Sequence, residues 1–103
     1  MVEWCAIIYD KPGVDRSVHR QEHLAEIPKL VEQGKLVQAG AIYKEVVDGR
    51  PSQFAGSQLT LVADSREEAL AIIRDDPFAK HGVWDVENVV LYPFGCAVRK
   101  EKQ

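Results

Sequence analysis

Three histidines, two cysteines and Ser57 are the side chains with which this sequence could move a proton, hold a metal ion or attack a substrate. His23 precedes Ile27 by four residues and Leu30 by seven. On a helix it therefore shares the face that packs inward, where an imidazole needs a partner. An imidazole titrates at about 6.5 in water, so it can give or take a proton near neutrality. His19 stands four residues before His23, a spacing that can hold a metal, with Glu22 and Glu26 close by. No third ligand follows at a fixed offset, and an ordinary amphipathic surface explains the pair, so no metal is expected. Arg20 carries forked donors suited to an anionic group; the alternative is a solvated helix arginine. Ser57 could donate a hydrogen bond to a substrate, with Gly56 serving a turn, and His81 is expected in a loop over a pocket. Phe78, Trp84, Tyr43 and Phe54 could wall an apolar cavity or be core and contact residues. Cys5 and Cys96 lack the CxxC spacing of redox or zinc motifs; a disulfide would form if the first and last strands lie close, and in a reducing compartment two thiols with no catalytic role are the preferred reading. With no Ser-His-Asp or Cys-His order in the chain, covalent catalysis is not favoured.

The elements that must position these groups follow from pattern. Val2 to Tyr9 reads as a strand closed by Asp10-Lys11-Pro12-Gly13. Leu24, Ile27, Leu30 and Val31 give helical spacing between Asp15 and Gly34, with Pro28 predicting a kink or late break. Leu36 to Val47 reads as a second strand and Phe54 to Asp64 as a third, antiparallel to it, joined through the turn signal Asp48-Gly49-Arg50-Pro51. Ser65-Arg66-Glu67-Glu68 is a capping box opening a short second helix that must stop near Asp75-Asp76-Pro77. Trp84 to Phe94 reads as one long final strand, and 99–103 as a polar tail beyond a single domain spanning 1–98. The order β-α-β-β-α-β predicts an α+β, ferredoxin-like split βαβ fold with two helices on one face of a four-stranded antiparallel sheet. The other face is left bare, and a homodimer through that exposed sheet face would cover it.

Composition narrows the partners. The chain has 103 residues, 46% hydrophobic and 28% charged, which fits one folded domain. A net charge of −3 with scattered basic residues argues against nucleic acid. No apolar stretch approaches the roughly 20 residues that span a bilayer, and Met1-Val2-Glu3-Trp4 does not open a basic and apolar leader. No membrane association and a cytoplasmic location are expected.

Several short patterns resemble the YCII-related family of the dimeric α+β barrel superfamily, from roughly Val2 to Phe94. They are Arg20-Gln21-Glu22-His23-Leu24, Gly34-Lys35-Leu36-Val37-Gln38-Ala39-Gly40, Gly56-Ser57 ahead of strand three, Asp76-Pro77-Phe78-Ala79-Lys80-His81-Gly82-Val83, and the closing Tyr92-Pro93-Phe94. The resemblance implies a dimeric α+β barrel whose site is a histidine/aspartate pair, falling here on His23 and Asp76. Pro28 and the segment 43–55 depart from the family pattern.

On the residues alone, the favoured reading is that His23 is a satisfied core histidine and Asp76 merely ends a helix before proline. The resemblance tips the reading toward a cofactor-independent enzyme, with Asp76 fixing the His23 tautomer for general acid/base work on a small cyclic or aromatic metabolite. Elimination, isomerisation or dehydration are the reaction classes implied, a lyase or isomerase; the family's few assigned activities include dehydrochlorination of a chlorinated hydroxyquinol. Arg20, Ser57, Phe78 and His81 are the expected substrate contacts. The alternative is a non-catalytic, small-molecule-binding or accessory dimeric module.

Overall fold

The computed structural model describes residues 2–102. Strand β1 (Val2–Tyr9) leads through a 3₁₀ turn (Arg16–Val18) into helix α1 (Arg20–Glu32), followed by β2 (Leu36–Val47) and β3 (Arg50–Ala63). Then come α2 (Arg66–Arg74), a four-residue α3 (Pro77–Lys80), a second 3₁₀ turn (Val86–Asn88) and β4 (Val90–Phe94). The strands form one antiparallel sheet in the order β2-β3-β1-β4, the ferredoxin-like split βαβ topology.

Alternation along the strands decides which side chains meet the helices. Trp4, Ala6 and Ile8 on β1 face Leu61, Leu59 and Ser57 on β3, and with Leu91 of β4 they form the floor on which α1 and α2 pack. Ala69 and Ile73 of α2, Phe78 of α3, Val83 and Trp84 complete that core. Each large side chain so buried contributes roughly 1.5–3 kcal/mol. The opposite sheet face carries Cys5, Ile7, Val62, Val90, Tyr92 and Phe94, none of them fully buried, the last three exposed. A polar row crosses it, Gln58 donating to Thr60 at 3.0 Å beside Gln38.

Several local expectations meet the structure directly. The β2–β3 turn is two residues long, Val47 pairing with Arg50, and both Asp48 (φ 52°) and Gly49 (φ 77°) adopt the left-handed conformation such tight hairpins require. Ser65 caps α2 by accepting from the Glu68 N–H at 3.1 Å, while the Glu68 carboxylate accepts from the Asp64 N–H at 3.3 Å. Helix α1 continues through Pro28 and stops at Glu32, with Gly34 at φ 73° after it. Of its apolar residues Ile27 and Leu30 pack on the core, but Leu24 and Val31 are exposed, because the inward stripe runs through His23 instead.

Three expectations change. The final strand is short: Trp84 makes only an isolated bridge to Asp10, and Val86 and Val89 reach the core around a 3₁₀ turn rather than along a strand. Asp76 does not simply end a helix, because Pro77 starts a new one; its fixed φ suits a first helical position, where no N–H is needed. Gly56 lies inside β3 opposite Tyr9, not in a turn, and a side chain there would collide with the Ile8 backbone.

Candidate active site

The site forms where α1, α3 and β3 converge. Asp76 is the N-cap of α3, its Oδ1 accepting from the Phe78 N–H at 2.8 Å. The same carboxylate meets Nδ1 of His23, 2.8 Å from Oδ1 and 3.0 Å from Oδ2, both residues being buried. A carboxylate only accepts hydrogen bonds, so Nδ1 carries the proton and donates it, which leaves Nε2 as the acceptor of a neutral ring. Nε2 has no hydrogen-bond partner among the described residues. The ring lies flat on Phe78, centroids 4.0 Å apart and planes 9° from parallel, and meets Trp84 edge-on at 5.4 Å. Three contacts thus fix the orientation of one imidazole.

Next to it is a polar cluster that sequence reasoning missed. Arg16 is 6% exposed; its Nε and Nη2 donate to Asp10 at 2.9 and 3.0 Å, and Nη2 also donates to Ser57 Oγ at 2.7 Å. Trp84 Nε1 donates to the same Ser57 oxygen at 3.1 Å. Having accepted twice, the Ser57 hydroxyl has its own proton left to give. The Arg16 guanidinium also lies between the rings of Phe54 (5.0 Å) and Phe78 (4.7 Å). Its Nη1 has no protein acceptor among the described residues. Little in the linear pattern flags Arg16: its partners lie at positions 10, 54, 57 and 78.

These groups wall a cavity of about 270 Å³. Arg16, Arg20, His23, Ser57 and Phe78 line it, with Tyr43 and Phe54 stacked on each other at 5.0 Å across one side and Leu24, Ile27 and Leu59 closing the apolar part. A larger open groove of about 510 Å³ runs between α1 and α2 and reaches the far side of Asp76. It offers a mixed lysine and glutamate lining, without imidazole or aromatic ring, so the smaller cavity is the candidate site.

Of the residues expected from the sequence, the fold brings together His23, Asp76, Ser57 and Phe78, with Arg20 on the cavity wall. His81 is placed elsewhere. It closes α3 as its C-cap, stacks on His19 at 4.0 Å with planes 3° apart, and bonds through Nε2 to Glu22 at 3.2 Å, outside the cavity lining. Gly82 (φ 71°) ends the helical turn directly after it. His19 and His23, one turn apart, therefore belong to different surroundings. Cys5 and Cys96 are free thiols away from the cavity.

Comparison with known proteins agrees with this architecture. The chain is 35% identical over 82 residues to the xenovulene A biosynthesis cluster protein asL2 of Sarocladium schorii, covering 77% of this chain and 71% of that relative. It is 32% identical over 95 residues to fusaric acid biosynthesis protein 2 of Gibberella fujikuroi, covering 89% and 91%. Among solved structures it resembles the 5-chloro-2-hydroxyhydroquinone dehydrochlorinase of Burkholderia phenoliruptrix, solved with 2,5-dihydroxybenzoquinone, at a TM-score of 0.69 and 20% identity over 90% of this chain and 93% of the other. That last likeness concerns the fold. Residues 2–94, which hold every strand and helix described above, match the YCII-related domain model, and the chain belongs to that family.

Proposed function

We propose that this chain is a small cofactor-independent enzyme in which His23, oriented by Asp76, acts as general acid/base on a planar cyclic or aromatic metabolite. The observation that carries the reading is the division of labour on one ring: Asp76 holds Nδ1, and Nε2 is unpartnered on a residue that lines the cavity. Such a ring is ready to take a proton. Stacked aromatic walls suit a flat substrate, and the two arginines and the Ser57 hydroxyl suit oxygen that gains negative charge as the proton leaves.

In an elimination or dehydration, Nε2 takes a proton from a ring carbon and the C–H electrons form the new double bond. The leaving group departs with its own electron pair, aided in the case of hydroxide by the returning proton. In an isomerisation the same proton returns at a different atom. Arg20 and Arg16 would hold the charged oxygen, Phe78 would hold His23, and the exposed rings of Tyr43 and Phe54 would meet the substrate plane. The reading draws further support from the relatives, two named for biosynthesis of small molecules and one structural neighbour named for dehydrochlorination of a chlorinated hydroxyhydroquinone.

The exposed apolar sheet face, with Tyr92 at 65% and Phe94 at 43%, supports a homodimer through that surface as part of the same reading. Its test is a molar mass in solution twice that of the chain.

The functional test is His23→Gln on the full chain, assayed against hydroxylated and halogenated quinols, with 2,5-dihydroxybenzoquinone as a binding probe. Turnover should fall about 10²–10⁴-fold while binding persists. Wild-type binding without turnover of any of these substrates would instead make the chain a binding module.

A further inference from the structure

On the outer side of α1 lies a second convergence of ligating side chains. His19, Glu22 and His81 each present one ligand atom within 4.8 Å of the others. We propose that these three residues form a binding site for a divalent cation of the zinc type, independent of whether His23 turns over a substrate.

Four observations lead to this. First, the donor set is two imidazoles and one carboxylate, which suits zinc, cobalt or nickel and is poor in the oxygen ligands that calcium and magnesium require. Second, the spacing is close to what such an ion needs. Metal–ligand bonds of about 2.0–2.1 Å at tetrahedral angles separate the ligand atoms by roughly 3.3–3.4 Å. His81 Nε2 and Glu22 Oε2 already stand 3.2 Å apart, and rotation of the exposed Glu22 and His81 side chains can close the remaining gap to the half-buried His19.

Third, the backbone beneath the ligands is fixed on both sides. His19 is the N-cap of α1, its N–H donating to the Arg16 carbonyl at 3.2 Å and its carbonyl accepting from the His23 N–H at 3.2 Å. His81 is the C-cap of α3, its N–H donating to the Pro77 carbonyl at 2.9 Å. Fourth, the two imidazoles lie parallel at 4.0 Å, so they are already adjacent, and a turn of either ring about its Cβ–Cγ bond is needed to make their in-plane lone pairs converge on one ion. With three protein ligands, water would take the fourth position.

The sequence expectation of no metal considered His19 together with His23. The fold separates that pair and supplies His81 in its place, from 62 positions further along the chain. A bound ion would tie α1 to α3, the two elements that meet in the His23–Asp76 contact.

The test uses the full, tag-free chain titrated with Co²⁺ and followed by its visible absorption, with Zn²⁺ measured by calorimetry and competing for the same site. One equivalent of Co²⁺ should show the intensified bands of low coordination and be displaced by Zn²⁺. Affinity should fall at least tenfold in His19→Ala and in His81→Ala, and less in Glu22→Gln. Cys96→Ser should bind as the parent does. Circular dichroism checks that each variant is folded. Retained affinity in a His19→Ala/His81→Ala chain, loss of binding in Cys96→Ser, or no binding at millimolar metal would each overturn the proposal.

Discussion

Helix α1 holds two arrangements built from the same parts, one turn apart. Around His23, an imidazole lies 4.0 Å over an aromatic ring with a carboxylate at 2.8 Å. Around His81, an imidazole lies 4.0 Å over another ring, that of His19, with a carboxylate at 3.2 Å. The difference is solvent. His23 and Asp76 are 7% exposed each, whereas the His81 and Glu22 side chains are 40% and 62% exposed. In the buried case one nitrogen is consumed by Asp76 and the residue lines a cavity, the arrangement on which the proposed proton transfer rests. In the exposed case the groups are free to reorganise around an ion. Residue type alone does not distinguish the two; burial does.

The largest break in this comparison should come from Asp76. Asp76→Ala removes both the cap on Phe78 N–H and the acceptor for His23 Nδ1, leaving two buried donors unpaired. A lost cap costs about 1 kcal/mol and an unpaired buried donor about 1–3 kcal/mol. Thermal melts should therefore fall by on the order of 10 °C or more for a chain of this size. Asp76→Asn sharpens the point, because its oxygen can still cap Phe78 while its amide faces Nδ1. That reverses the His23 tautomer and places the proton on Nε2, so melting should recover much of the loss while proton abstraction does not.

Removing the corresponding carboxylate of the exposed arrangement should do far less. Glu22→Gln in metal-free protein should change stability by no more than about 0.5 kcal/mol, as expected for a solvent-screened pair, and denaturant melts would read this. A strongly destabilised variant would show that the two arrangements are more alike than their exposure suggests.

The smallest effect concerns a third carboxylate. The Arg99 guanidinium, forked onto Glu3 at 2.6 and 3.1 Å, holds the Glu3 carboxyl below its usual range. A lowered acid favours the folded contact above its unfolded pKa and loses that contribution as pH falls through the folded value. Acidification through that lowered range should therefore release Arg99 from Glu3 while the melting temperature hardly moves. The Glu3 carboxyl chemical shift, followed by NMR in the parent and in Arg99→Gln, should titrate at lower pH in the parent.

How legible this molecule is in its sequence depends on the range of the contact. Strands β1 to β3 and helix α2 follow from alternation, turn chemistry and a cap, all local. The first half of the expected final strand is not a strand, because Val86 and Val89 supply apolar residues without strand pairing. Asp76 was legible as a partner of His23 only through family resemblance; its capping role follows from the local Asp-Pro-Phe order. Arg16 was not legible, since nothing near it announces Ser57, Phe54 and Phe78. His81 was assigned to the pocket because sequence distance from Asp76 does not tell which way a four-residue helix points.

That brevity of α3 also bears on cooperativity. Its one turn carries both the carboxylate that meets His23 Nδ1 and the ring on which the imidazole lies, and the Phe78 carbonyl accepts from the Val83 and Trp84 N–H groups. The tautomer of His23 and its stacking therefore stand or fall together, with one packed turn.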